Sequence, residues 1–139
     1  MAFDLQLCRD LFVPRELVFD AWTQEEHLIQ WYSPDPAAQR DARLDPRPGG
    51  RFALAWEDVG GSSNVDAGQF VEIHRPEGFR CSLSTGAGST DLRVDLLDLR
   101  GACRIDLRHQ GFASAEQRDR REALWEALLD RLEGYFSAI

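Results

Sequence analysis

Apolar Phe3, Leu5, Leu7, Leu11 and Val13 alternate with Asp4, Gln6, Cys8 and Asp10. That period of two predicts a strand with one buried face. Arg9 falls on the apolar parity, where a charge needs a partner. Pro14 stands where a first helical turn tolerates proline, since its missing N–H would be unsatisfied there anyway. Leu17, Val18, Ala21 and Trp22 then give a short helix one apolar stripe. Thr23 followed by Glu26 reads as a capping box that starts a second short helix. Along it Leu28, Ile29 and Trp31 cluster, while Glu25, Glu26, His27 and Gln30 face away, and Pro34 and Pro36 end it.

From about residue 40 to 110 the pattern changes to short strands and turns. "PRPGG" is a tight turn, with Phe52, Leu54 and Trp56 alternating behind it. Gly60 to Asn64 reads as a hairpin loop, followed by a strand around Ala67–Ile73. "HRPEG" turns into Phe79–Thr85, "GAGS" into Leu92, Val94 and Leu96, and Gly101 into Cys103, Ile105, Leu107 and His109. Hairpins at this spacing imply an antiparallel meander. The last segment, Ser114–Ala138, opens on a second capping box, Ser114 with Gln117. Leu124, Trp125, Leu128, Leu129, Leu132, Tyr135 and Phe136 follow at helical spacing. The charged residues of this segment, Arg118, Asp119, Arg121, Glu122, Glu126, Asp130, Arg131 and Glu133, are expected on the opposite face. About seven strands, two short helices after the first strand and one long terminal helix make an α+β domain, a single one over residues 1–139.

Composition narrows the partners. The formal net charge is -8, so phosphate backbones and anionic membranes are repelled, and neither nucleic acid nor membrane is expected to bind. All sixteen basic residues are arginine, which reads as codon bias before it reads as physics. Cys8, Cys81 and Cys103 form no C-x-x-C pair, and three widely spaced free thiols fit a reducing cytoplasm. The N-terminus lacks an apolar signal core, and no apolar run approaches the ~20 residues of a membrane span. The expected location is cytoplasmic.

The order strand, two small helices, meander, long helix is that of the helix-grip fold. "VPRELVFDAWTQEEHLIQWYSP", "LDPRPGGRF", "GQFVEI", "CRIDLRHQGF" and "LWEALLDRLEGYF" occur along it in sequence. Together they resemble the SRPBCC (START-like) superfamily, and within it the branch named after the C-terminal domain of the activator of heat-shock protein 90 ATPase. The resemblance covers about residues 3–137. It implies an antiparallel sheet wrapped on the terminal helix with a cavity between them, which many members use for apolar small molecules and some for catalysis. The family usually has Gly-Trp where this chain has Leu124-Trp125, and tryptophan where it has Leu83. A leucine replacing glycine there should fill space or push the helix outward.

Several residues are candidates for chemistry. His109 keeps the inward parity of Ile105 and Leu107 and matches the family's H-x-G-F histidine; a buried imidazole could orient a ligand, act as acid and base, or be structural. Arg9 could bind a ligand carboxylate or pair with an internal acid such as Glu72 or Asp45. Trp31, Tyr32, Phe52, Trp56, Phe70 and Trp125 are core aromatics that in this fold also line the cavity. His27, His74 and His109 lack metal-ligand spacing, so no metal is expected, and no cofactor either. There is no G-x-S-x-G elbow, and "GAGST" lacks the lysine and helix of a phosphate loop.

The leading expectation is a binding domain for an apolar small molecule, with Trp31, Tyr32, Phe52, Trp56, Phe70 and Trp125 as wall and Arg9 and His109 as polar anchors. The alternative in another class is a cyclase-, hydratase- or hydrolase-like enzyme using His109. A third is a protein-interaction role of the chaperone-ATPase-activator kind, ranked lower because no second module accompanies the domain. Homodimerisation follows from family analogy alone.

Overall fold

The computed structural model describes residues 3–84 and 88–138. Its elements run β1 (Phe3–Leu11), α1 (Arg15–Thr23), α2 (Glu25–Trp31), β2 (Gln39–Leu44), β3 (Arg51–Glu57), β4 (Ser63–His74), β5 (Gly78–Ser84), β6 (Ser89–Asp98), β7 (Cys103–Phe112) and α3 (Ala115–Ser137). The strands form one seven-stranded sheet in the order β1-β7-β6-β5-β4-β3-β2, antiparallel throughout. Six of the strands follow each other as a meander, and β1 joins at the far edge by pairing with β7, where Leu5 faces His109 and Leu11 faces Cys103. This is the α+β helix-grip arrangement that the order of elements implied. The turn expected at "GAGS" and the end of the strand at Thr85 fall partly outside the described residues. None of the described helices is long and apolar enough to cross a membrane.

Alternation places one row of each strand toward the helices. Leu54 and Trp56 of β3, Phe70 of β4, Cys81 and Leu83 of β5, Leu92, Val94 and Leu96 of β6, and Cys103, Ile105 and Leu107 of β7 are all buried. On the other side α3 contributes Trp125, Leu128, Leu129 and Leu132, and packs against β1, β7 and α2. Val18, Phe19, Ala21 and Trp22 of α1 close the core from one end.

The helix starts differ from expectation in instructive ways. Thr23 ends α1 rather than capping α2, because its hydroxyl donates to the Phe19 carbonyl at 2.8 Å. Gln24 takes the N-cap position of α2 without a side-chain bond. Pro14 is the N-cap of α1, one residue before the helix, and its carbonyl accepts from Leu17 and Val18. Leu17 and Ile29, placed on apolar stripes by sequence, are 50% and 36% exposed, while Phe19 turns inward. Ser114 does cap α3, accepting from the Gln117 amide at 3.1 Å, but the Gln117 side chain returns to the Ala113 amide instead of Ser114.

Candidate functional site

The "PRPGG" turn aligns the wall of an apolar gap in the core. Gly49, at φ 82, adopts a left-handed conformation that favours glycine. Its amide donates to the Phe70 carbonyl and the Phe70 amide donates to the Gly50 carbonyl, both at 2.8 Å. The turn is thereby fastened to β4, which sets Phe52 beside Phe70 with ring centroids 5.2 Å apart. Gly68 makes the space: a Cβ there would stand 2.8 Å from the Cζ of Phe52 and would collide with the Ser82 carbonyl.

Between these rings, the short helices and α3 lies an apolar pocket of about 30 Å³. Trp22 of α1, Leu28 of α2, Tyr32 just after α2 and Trp125 of α3 form one side. Leu44, Phe52, Leu54, Phe70, Phe79, Cys81, Leu83 and Leu92 form the sheet side. The space is small, with room for water-sized guests. Leu83 is 1% exposed, and Leu124 is partly buried against the core. Leu44 and Phe52 also line an open concavity of about 940 Å³, whose polar rim includes Glu25, Asp45, Arg51 and Gln69. Two half-buried apolar side chains therefore stand between an outer vestibule and the inner pocket.

Of the eight residues proposed from sequence, Tyr32, Phe52, Phe70 and Trp125 line this pocket. Trp31 and Trp56 lie behind it, each edge-on to Tyr32 with ring centroids at 5.3 and 5.8 Å, and the Trp31 indole donates to the Ala21 carbonyl. Arg9 and His109 are not part of the wall.

Arg9 does face the helix side of the sheet, as its parity required, but neither Glu72 nor Asp45 is its partner. Its guanidinium reaches Asp130 at 2.8 Å and Glu126 and Glu133 at 3.3 Å, three acids on one face of α3. The pairing clamps the edge strand to the terminal helix.

His109 is fully buried with both ring nitrogens engaged. Nδ1 accepts from the Trp125 indole at 3.0 Å, and Nε2 lies 2.6 Å from the Thr90 hydroxyl. Because that hydroxyl donates to the Leu83 carbonyl at 2.7 Å, the network assigns the proton to Nε2 and leaves the ring neutral. Burial, assisted by the positive Arg121, pushes the imidazole down to about 3. A histidine so committed orients Trp125 and is not poised for proton transfer near neutrality. His27, expected outside with its acidic neighbours, instead lies with Nδ1 2.7 Å from the Tyr135 hydroxyl, joining α2 to the end of α3.

The polar centre of the core was not foreseen. Arg121, placed on the solvent face by its charge, is 7% exposed. It holds Asp66 through two bonds at 2.9 and 2.6 Å, and its guanidinium carbon lies 4.6 Å from the centroid of the Trp125 ring. Tyr32 donates to the same carboxylate at 2.8 Å. Burial and then the Asp66 charge push the Tyr32 phenol well above its usual range, so it remains a neutral donor. Position 121 sits one turn before Trp125, on the stripe that continues to Leu128 and Leu132. Spacing carried the signal, and charge concealed it. Cys81, in the pocket wall, is pushed up to about 12 by burial and stays a thiol.

Comparison with known proteins agrees with this geometry. The fold is shared with NE0264 from Nitrosomonas europaea, at a TM-score of 0.81 and 24% identity, covering 97% of this chain and 94% of that one. It is shared with the AHSA1 protein SPO3351 from Silicibacter pomeroyi, at 0.84 and 20%, covering 98% and 99%. CalU16 from Micromonospora echinospora matches at 0.78 and 21%, covering 98% of this chain and 77% of that one. No curated protein matches the sequence. The family model described as "Activator of Hsp90 ATPase homolog 1-like protein" matches residues 13–137, and with nearly the whole chain under it, the chain belongs to that family.

Proposed function

We propose that this protein binds a compact, uncharged apolar molecule between its sheet and α3, with Phe52 and Leu44 as the movable boundary of the site. The observation that carries the reading is their double position, in the wall of the small inner apolar pocket and in the wall of the open concavity. Withdrawing the Phe52 ring joins the two spaces and leaves the aromatic faces of Tyr32, Phe70 and Trp125 to receive a ligand. Phe52 is half-buried, so its displacement costs about 1–2 kcal/mol of apolar contact, which a bound apolar molecule replaces. Arg121 and Asp66 neutralise each other, so a ligand bearing a full charge would be desolvated without a counter-charge. The START-like fold, common among binders of hydrophobic molecules, supports the same reading.

Benzene is a suitable probe because its shape fits an aromatic wall and engineered apolar cavities accept it. Titrated into the protein, it is expected to give saturable NMR shifts at the Trp22 and Trp125 indoles. Phe52→Ala should destabilise the fold by about 2 kcal/mol and bind benzene more tightly, since the boundary is removed. Absence of saturable shifts in both proteins would overturn the proposal. A hydrophobic molecule retained through mild purification and seen by native mass spectrometry would identify the natural ligand.

A further inference from the structure

The pocket wall carries four side chains with a hydrogen-bonding group beyond the backbone: Trp22, Tyr32, Cys81 and Trp125. Tyr32 is committed to Asp66 and Trp125 to His109. Cys81 is a weak donor held as a neutral thiol. Trp22 is different. It is 4% exposed, and its indole nitrogen is buried with no partner. Among the described residues three other side-chain atoms share that condition, on Arg15, Asp58 and Arg121, and none of these residues belongs to the pocket wall. An unsatisfied buried donor is costly, and such groups in native proteins call for an explanation.

Aromatic neighbours surround this indole. Trp31, Phe79 and Trp125 have ring centroids 5.0, 5.9 and 5.9 Å from it. Their ring faces supply no strong acceptor. A lone water would find few polar groups to hold it, since a buried water needs two to four partners and, of the other polar groups of the wall, Tyr32 and Trp125 are committed and the Cys81 thiol bonds only weakly.

Building on the binding role proposed above, we infer that the ligand of this pocket carries one neutral hydrogen-bond acceptor, a carbonyl, ether or ring nitrogen, which receives the Trp22 indole N–H. An ionised carboxylate is excluded by the apolar surroundings, and Arg121 supplies it no counter-charge because the guanidinium is already neutralised by Asp66 at both terminal nitrogens. The site therefore selects apolar molecules with a single acceptor over plain hydrocarbons of the same shape that leave the indole unpaired.

Benzene and pyridine test this, because they share a shape and differ by one acceptor nitrogen. At pH 8, where pyridine is neutral, both are titrated into the wild type and Trp22→Phe. The expected result is that the substitution weakens pyridine about fivefold relative to benzene, the worth of one net hydrogen bond, since the loss of ring volume from the wall acts on both probes alike. The Trp22 indole proton should also move downfield with pyridine and not with benzene. Should Trp22→Phe fail to fold, the indole resonance is assigned in the wild type from its proximity to Phe79, and the downfield shift alone decides. Equal losses for both probes, or an indole proton that pyridine does not move, would overturn the acceptor inference while leaving the binding site intact. Binding of neither probe to the wild type or to Phe52→Ala would overturn the binding role itself, and this inference with it.

Discussion

At the scale of single residues, two buried polar groups govern how the core responds to its surroundings. The unfolded chain protonates His109 below its ordinary value of 6.5, whereas the folded chain resists until about 3. The unfolded state therefore binds more protons between these limits, and stability that is complete above pH 6.5 falls as the pH drops through the window. At about 1.4 kcal/mol per pH unit, unfolding at pH 5 should cost about 2 kcal/mol less than at pH 7 on this account. Urea titrations of the wild type and His109→Gln at both pH values check it, since the variant should lack that share of the decline. Asp66 is the other case. Asp66→Ala leaves Arg121 buried without its partner and should destabilise by about 3–5 kcal/mol, while Asp66→Leu with Arg121→Met should recover most of the loss. Denaturation midpoints of the wild type and the two variants provide the comparison. His109 was legible from parity alone, because a strand's alternation fixes which face a side chain takes. Arg121 was not, since a charge at a helical core position is read as surface unless its partner 55 residues away is known.

Elements are joined here by contacts that fall between the usual categories of core and surface. Arg9 ties β1 to α3 through three carboxylates that are themselves more than half exposed. Such pairs are screened by water and salt, so Arg9→Leu should cost about 1 kcal/mol or less and the loss should shrink as salt is raised. Thermal unfolding at low and high ionic strength measures it. On β4, Gly68 lets the tip of the Phe52 ring approach the strand closely, and Gly68→Ala should shift that ring as well as strain the strand. An altered Phe52 ring environment by NMR is the expected sign. Periodicity made the strands and α3 legible, because burial of one face acts on every second or every third and fourth residue. Helix boundaries were less legible: Thr23 can cap forward or bond back, and the observed bond to Phe19 wins because α1 continues through it. Tyr32, Phe52, Phe70 and Trp125 were legible as core from aromatic bulk, and as pocket wall only through the cavity that the family resemblance implies, which named Trp31 and Trp56 equally. The pocket's small volume was not, since it depends on how side chains interlock.

The whole molecule keeps its two sheet faces chemically apart. Helices cover one; the other bears alternating charges such as Arg80 with Asp91, Arg93 with Asp95 and Arg104 with Asp10. Interleaved charges of both signs discourage a second sheet from stacking there. The order of strands adds a constraint of a different kind. β1 is made first, yet its partner β7 lies about a hundred residues later, as in the pairing of Leu5 with His109. During synthesis the meander from β2 to β6 can assemble while β1 waits with no neighbour. Only when residues 103–112 have left the ribosome can the first strand find its place, and α3, which holds it there through Arg9, comes later still. A nascent chain halted before β7 thus presents two bare strand edges, β1 and β6, so chaperone demand should peak just before the last quarter of the chain emerges.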